Sequence, residues 1–452
     1  MIAIEPERMA AVMEAVIVAR GEPGPPRAAA IDSREITGGE LFFGLAGESD
    51  DGGRFAPAAL EAGAWGVVVG PESAAGVASA GGWVFAAPDP LAAMQSLATG
   101  WRRELGATVI GITGSVGKTS VKDITKALLP GSVHASSENF NTEIGLPLTI
   151  LCAPEGTGTL VLEMAMRGSG QIAELARIAE PDVGVITLVG PVHLELLGSI
   201  EAIAAAKAEL IGGLRPGSPV IVPVDAGHLE PHLEGVANQL RFGPRGAVRA
   251  EAVERGDGQT RADVVTPAGS ARFVFPFTEE HNLTNSLAAI AAGISTGVAP
   301  EELAARAGSV SFSKLRGEHV TLESGALVVN DSYNANPVSM NAALEYLAGI
   351  ERGRRIAVLG IMAELGPEAP DFHRQVGRRA RDLGIDSLIG VGPAAADYGP
   401  DELVEDPGAA VDLLEGRLDS DCVVLVKGSR SAGLEEVAEG LVSRPAEPGG
   451  AS

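Results

Sequence analysis

The sequence predicts an α/β protein of three domains, and three observations carry that expectation. A chain of 452 residues is too long for one hydrophobic core and divides into units of roughly 100–200 residues. Apolar runs rich in Val and Ile alternate with helical stretches, the pattern of a parallel sheet covered by helices on both faces. One such run, "TVIGI" (108–112), enters a Gly-rich turn and then the helical stretch "KTSVKDITKALL" (118–129). The expected segments are 1–106, 107–312 and 313–452.

In the first segment, "AAAIDSREITGGELFFGLAG" reads as short strands with turns, and "AWGVVVG" and "GWVFAAP" as buried strands. "DPLAAMQSLATGWRREL" reads as a helix leading out. In the second, "TLVLEMAM", "VGVITLV" and "PVIVPV" follow the Gly-rich unit as buried strands, separated by the helices "GQIAELARIA" and "SIEAIAAAKAELIGGL". "ADVVTPAGSARFVFPF" reads as an antiparallel hairpin. In the third, "ALVVN", "RIAVLG", "SLIGV" and "CVVLV" alternate with helices and predict a second α/β sheet. The terminal "SRPAEPGGAS" reads as a disordered tail.

Composition narrows the function. A net charge of −25 excludes a nucleic-acid polymer as main partner, because backbone binding needs a basic face. An anionic substrate must meet local positive charge, which draws attention to Lys118, Lys207 and Lys427. No apolar stretch reaches the ~20 residues of a membrane span. The first residues lack the layout of a secretory signal, and Cys152 and Cys422 offer neither metal spacing nor a disulfide framework. These readings point to a cytoplasmic enzyme or binding protein.

The stretch "GITGSVGKTSVKD" (111–123) raises the question of a nucleotide. The usual phosphate-loop pattern is Gly, four residues, Gly-Lys-Ser/Thr, which would place a Gly at 112, where this chain has Ile. The strand–turn–helix context nevertheless fits. Gly111, Gly114 and Gly117 would let backbone N–H groups turn toward an anion, Lys118 would meet phosphates, and Thr119 would offer its hydroxyl to Mg²⁺. A Gly-rich turn with an unrelated lysine is the plainer alternative. Glu163 closes "TLVLE" and His193 follows "VGVITLVGP", both at the carboxyl ends of strands, where open α/β sheets bind ligands. Lys207 lies in an Ala-rich helix. Singly, each has an ordinary structural reading; together they suggest a metal beside phosphates.

These residues sit within ordered blocks that resemble the Mur ligases, the ATP-dependent amide ligases of peptidoglycan precursor synthesis. The blocks are "TGSVGKTS" (113–120), "ENFNTEIGLPLTIL" (138–151), "LEMAMRGSGQIAEL" (162–175), "GPVHLELLGSIEAIAAAKAEL" (190–210), "HNLTNSLAA" (281–289), "LRGE" (315–318), "NDSYNANPVSM" (330–340), "LGIMAELG" (359–366) and "KGSR" (427–430). The family's loop, Thr-Gly-x-x-Gly-Lys-Thr, needs no Gly at 112. The resemblance is greatest to the branch that joins D-alanyl-D-alanine to UDP-N-acetylmuramoyl-tripeptide.

The resemblance implies a uridine-nucleotide domain over 1–106, a central P-loop ATPase domain with a mostly parallel sheet over 107–312, and a C-terminal Rossmann-like α/β domain over 313–452. It implies a monomer that uses ATP and Mg²⁺, with Mn²⁺ as an acceptable substitute. Thr113, Gly114, Ser115, Gly117, Lys118, Thr119 and Ser120 would grip the phosphates. Asn282 would face adenine, with His281 and Asn285 near; Arg316 would take phosphate and Asp331 ribose. Thr119 and Glu163 would hold one metal ion and His193 the other, with Lys207 as a carbamate ligand. Lys118, Glu163, His193 and Lys207 would form the catalytic set.

Ser33 and Arg34 would contact the uridine nucleotide. Asn141, Thr142 and Glu143 would face the sugar-peptide, and Tyr333, Asn334 and Asn336 belong to the same substrate set. For Ser33 and Arg34 a plain surface turn remains open. Helix capping remains open for Asn285, and turn chemistry for Asn334. Gly53, Ala165 and Leu188 depart from the family's usual His, Gly and Asn. The absence of "DNPR" separates the chain from relatives that add meso-diaminopimelate, and segment one separates it from folylpolyglutamate synthases. A Mur-type ligase that adds a different amine and a non-catalytic nucleotide-binding relative are the alternatives. In the main reading ATP would bridge segments two and three, with hinges near 106 and 312.

Overall fold

The computed structural model describes residues 2–47, 50–137 and 139–443. The tail reading over 444–452 lies outside them, as do Glu48, Ser49 and Glu138 within the quoted blocks. The expected α/β class is found, with mostly parallel sheets.

The first sheet has five strands, in the order Val16–Ala19, Trp83–Ala86, Gly66–Val69, Leu41–Phe43, Ala29–Ala30. Only the edge strand Val16–Ala19 runs antiparallel. The sequence reading missed it because its Val16 and Val18 stay exposed, so it has no buried run.

The second sheet has six parallel strands, in the order Gln239–Phe242, Val220–Pro223, Val183–Ile186, Thr108–Thr113, Thr159–Glu163, Val133–Ala135. From Thr108–Thr113 the chain moves toward one edge; from Val183–Ile186 it moves toward the other. The crevice between these two strands is therefore the topological switch point of the sheet, where ligands bind in open α/β folds. The expected hairpin at 262–277 is instead part of a three-stranded antiparallel sheet, Arg249–Gly256, Gln259–Thr266 and Gly269–Phe275. Its first strand is mostly exposed and carries no apolar alternation to read.

The third large sheet orders its strands Glu318–Thr321, Leu327–Asn330, Cys422–Lys427, Arg354–Leu359, Ser387–Val391, Glu402–Val404. It is parallel except for the Glu318–Thr321 edge. Two apolar clusters, one on each face, are drawn from its own strands and helices; among the described residues, Leu194 packs against one of them from outside.

The helix Pro90–Leu105 behaves differently from a linker. Asp89 caps it by accepting from the Leu91 and Ala92 amides, Pro90 starts it, and Gly106 ends it in the left-handed region at φ 61°. It buries Met94, Leu97 and Trp101 in one apolar cluster shared with Phe43 and Phe85 of the first sheet and with Leu146, Ile150 and Leu175 of the central part. The Trp101 indole donates to the Ala153 carbonyl at 3.1 Å, and buried Arg102 donates to the Ala179 carbonyl and to Asp182. A hinge near 106 does not fit this continuous core.

Candidate functional site

The phosphate loop occupies the switch crevice. Gly114 (φ 146°) and Gly117 (φ 88°) adopt backbone conformations that side chains rarely permit. Gly117 is the N-cap of the helix Lys118–Leu128 and no side chain caps it, so the first amides of the helix keep their anion-binding potential. Gly111 does not join the loop. It lies inside the strand, where a Cβ would press on Met164 at 3.0 Å; its role is packing, contrary to the sequence reading.

The loop is braced from behind. The Thr113 hydroxyl donates to the Met164 carbonyl at 2.9 Å and is fully buried, so its side chain anchors the loop and does not reach the cleft. Ser115 exchanges two hydrogen bonds with Gly190 at 3.0 Å, its hydroxyl donating to the carbonyl and accepting from the amide. Lys118 Nζ bends back to the Gly114 carbonyl at 2.9 Å. Burial and nearby Arg316 push its ammonium pKa down, and Glu163 opposes them.

Thr119 and Glu163 meet because the helix that carries Thr119 follows the strand next to that of Glu163, with Ile112 level with Glu163. The Thr119 hydroxyl donates to Glu163 Oε2 at 2.7 Å, and the Asn141 amide donates to Oε1 at 2.9 Å. Glu163 is nearly fully buried. A buried carboxylate and a hydroxyl so close are hard oxygen donors that suit Mg²⁺, which takes one or two carboxylates, water and substrate phosphates in preference to an all-protein cage. Among the described residues no group of three or more His, Cys, Asp or Glu gathers as such a cage.

Lys207 lies within electrostatic reach of Glu163 and Lys118, and His193 within reach of Lys207 and Lys118. Lys207, 1% exposed, sits in the helix Ile200–Gly212. Burial drives its amine well below the ordinary lysine pKa, Lys118 adds to the effect, and Glu163 and Glu209 oppose it. His193 is lowered by burial, with Lys207 and Lys118 adding and Glu364 opposing. Its Nδ1 hydrogen-bonds the carboxylate of Glu364, which belongs to the third sheet's side of the molecule.

The cleft spans about 1460 Å³ and is lined from both sides. Thr119, Ser120, Asn141, Thr142, Glu143 and Glu163 line it from the central part; Arg316, Asp331, Tyr333, Asn334 and Asn336 face them from the C-terminal part. The helix Glu280–Ser295 contributes Asn282 and Asn285. Its N-cap is Glu279, so neither Asn is a cap, and Asn285 instead stands against Gly117, whose added Cβ would meet its Oδ1 at 2.5 Å. The Arg316 guanidinium lies 4.1 Å from the Tyr333 ring centroid, and its buried Nε has no hydrogen-bond partner among the described residues. Buried Lys427, one of the three lysines noted in the sequence, donates to Asp331 Oδ2 at 2.6 Å and to the Asn334 carbonyl at 3.0 Å, fixing the acid expected at ribose.

Other expected residues have local structural duties. Asn336 caps the helix Pro337–Gly349 in a reciprocal box with Ser339. Asn334 Oδ1 accepts from the Ala335 amide. Ser33 and Arg34 lie in a short turn away from this cleft, where exposed Arg34 pairs with Asp32 at 2.6 Å. At Gly53 a Cβ would press on Ser73 Oγ at 2.6 Å, so a larger residue in this turn would require Ser73 to shift. Ala165 and Leu188 both line the cleft.

Sequence reading missed Glu364, although it lies within the quoted "LGIMAELG". It also missed Asp123, whose Oδ2 accepts from the Ser313 amide at 2.9 Å and hydroxyl at 2.8 Å. A non-glycine φ of 61° at Glu364 becomes visible only with the backbone.

A phosphate loop at a switch point, facing a second α/β sheet across a shared cleft, defines the class: a nucleotide-dependent enzyme that works between two sheets. Residues 112–293 match the Mur ligase middle domain, and residues 315–430 match the Mur ligase, glutamate ligase domain. The chain belongs to the Mur ligase family. It is 35% identical to the UDP-N-acetylmuramoyl-tripeptide--D-alanyl-D-alanine ligase of Bacillus subtilis, over 92% of this chain and 93% of that one. It is 33% identical to the Escherichia coli protein of the same name, over 91% and 92%. Among solved structures, MurF from Acinetobacter baumannii superposes with a TM-score of 0.86 at 26% identity, covering 97% of this chain and 99% of that one. MurF ligase from Thermotoga maritima in complex with ADP superposes at 0.81 and 29% identity, covering 92% and 97%.

Proposed function

We propose that the chain is an ATP-dependent amide ligase that joins D-alanyl-D-alanine to UDP-N-acetylmuramoyl-tripeptide with release of ADP and phosphate. The observation that carries this reading is the Thr119–Glu163–Asn141 cluster at the phosphate loop, opening into a cleft shared with Arg316 and Asp331. The names of the relatives, matched over more than nine-tenths of their length, supply the substrates.

The chemistry follows from what a carboxylate lacks. It does not react with an amine at neutral pH, because oxide is a poor leaving group. Attack of the tripeptide carboxylate on the γ-phosphate of ATP gives an acyl phosphate and ADP. Attack of the dipeptide amine on that carbonyl then forms the amide and expels phosphate. Phosphoryl transfer asks the protein mainly for positioning and charge neutralisation. The amides ahead of Lys118 and its ammonium would cradle the phosphates. Arg316, swung from Tyr333, would add a second positive charge from the facing sheet, and Asp331, fixed by Lys427, would meet ribose.

Thr119 and Glu163 would hold Mg²⁺, and His193 with a carbamate on Lys207 would hold a second ion. The metal supplies neutralisation of the charge that develops on the phosphate oxygens. An ammonium beside such an ion would be repelled. The depressed basicity of Lys207 keeps its amine nucleophilic toward CO₂, and the resulting carbamate is anionic. We assign the protein to the cytoplasm as a monomer; no described helix is long and apolar enough to cross a membrane.

The decisive assay is ADP release with UDP-N-acetylmuramoyl-tripeptide and ATP, with and without D-alanyl-D-alanine. Turnover that depends on the dipeptide is expected. Turnover that ignores it, or responds only to another amine, would defeat the proposal.

A further inference from the structure

Glu364 reaches His193 from across the cleft. It is 171 residues away in sequence and belongs to the loop after the strand Arg354–Leu359, on the C-terminal sheet. Its carboxylate meets His193 Nδ1, and its backbone carbonyl accepts from the Glu195 amide at 3.2 Å. A carboxylate only accepts, so a neutral imidazole in this pair carries its proton on Nδ1 and leaves the Nε2 lone pair for a ligand. Both residues hold left-handed backbone without being glycine, His193 at φ 56° and Glu364 at φ 61°. Such conformations persist where the surroundings enforce them, often at functional sites.

The loop that presents Glu364 is firmly held from its own side. The Gly360 amide donates to the Lys427 carbonyl at 2.9 Å, and its carbonyl accepts from the Tyr398 hydroxyl at 2.8 Å. The Met362 amide donates to His373 Nε2 at 3.1 Å, and the Ala363 amide to Ser429 Oγ at 2.9 Å. Glu364 is thus a rigid extension of the C-terminal sheet, and it meets His193 only when the two parts approach this closely.

We propose that Glu364 is a positioning residue for the reaction: carried on the C-terminal sheet, it orients the His193 ring toward metal and phosphate as the cleft closes. Closure and the order of the ligand set thereby become one event. This rests on the proposed role of His193 beside metal, and outer carboxylates that orient ligating histidines generally matter about 10–100-fold in metal affinity or activity.

The test uses the full chain with Mn²⁺ and a non-hydrolysable ATP analogue, reading bound Mn²⁺ by electron paramagnetic resonance beside steady-state kinetics. Glu364→Ala is expected to weaken Mn²⁺ binding by about 10–100-fold and to lower kcat with the KM for the UDP substrate retained. His193→Ala should weaken Mn²⁺ binding as well, and the double variant should be no weaker than His193→Ala alone. Glu364→Gln, whose amide oxygen can still accept from Nδ1, should recover part of the loss while keeping the volume. Equal Mn²⁺ binding by wild type and Glu364→Ala, or strictly additive losses in the double variant, would overturn the inference while leaving the His193 assignment standing. Unchanged binding in His193→Ala would instead remove that assignment, and this inference with it.

Discussion

Asp123 holds Ser313 through a single carboxylate oxygen, which accepts both the backbone amide and the side-chain hydroxyl. Asp123 stands on the helix that starts at Lys118, and Ser313 lies just before the chain enters the C-terminal sheet. Lys122 completes the junction, pairing with Asp123 at 2.9 Å and donating to the Ser136 carbonyl at 2.9 Å. The Ser136 hydroxyl in turn accepts from the Glu163 amide at 3.1 Å. The segment entering the C-terminal sheet, the phosphate helix and the buried carboxylate are thus joined by a short polar chain.

Asp123→Ala should therefore loosen this junction more than the fold. The expected stability loss is about 2 kcal/mol, since two hydrogen bonds to a charged acceptor disappear and Lys122 loses its ion-pair partner, keeping the Ser136 carbonyl. Small-angle scattering should show wild type compacting with ATP analogue and UDP substrate, and the variant compacting less. Scattering of wild type that does not change with ligands would count against closure.

Gly117→Ala should abolish nucleotide binding. Its φ of 88° disfavours any side chain, and the new methyl would collide with Asn285. The strain should cost about 1–2 kcal/mol of stability. Calorimetric titration with ATP analogue checks the binding, and a Gly117→Ala/Asn285→Ala double variant should regain part of it by removing the colliding atom.

Lys207→Ala should lower turnover by about 10²–10³-fold, the scale for removing one group that stabilises developing charge. Bicarbonate or a small carboxylate should restore part of the activity by supplying the missing anion. No recovery with any of these would leave the carbamate without support.

His373 makes stability depend on pH. Burial holds its pKa below the ordinary imidazole value of 6.5, against the pull of the Ala369 carbonyl and Asp397. Its Nε2 must stay unprotonated to accept from the Met362 amide. A depressed folded value means that its contribution is complete above pH 6.5 and is lost as pH falls through the folded value. Denaturant titrations at pH 8 and pH 5 should show the stability gap between wild type and His373→Gln narrowing at the lower pH. A constant gap would rule this out.

The central part of the site was legible because its residues sit at fixed places in a repeating unit. Thr119 follows one strand and Glu163 closes another, and the parallel sheet brings the ends of its strands to one edge. Glu364 and Ser313 were not legible in that way. Their partners lie 171 and 190 residues away, and no local pattern says which loops of separate sheets will touch. Gly111 misled for a related reason: a glycine inside a buried strand and one in an anion cradle look alike in one dimension. The edge strand Val16–Ala19 and the exposed strand Arg249–Gly256 escaped because neither buries a readable stripe.

The helix Pro90–Leu105 also determines where the molecule can be dissected. Severing the chain at 106 would strip Met94, Leu97 and Trp101 of their partners and leave two sticky fragments. Severing it just before Ser313 would cut through far less apolar surface, since the last sheet carries its own clusters on both faces. A laboratory seeking a tractable fragment should therefore express 313–452 alone and keep 1–312 whole.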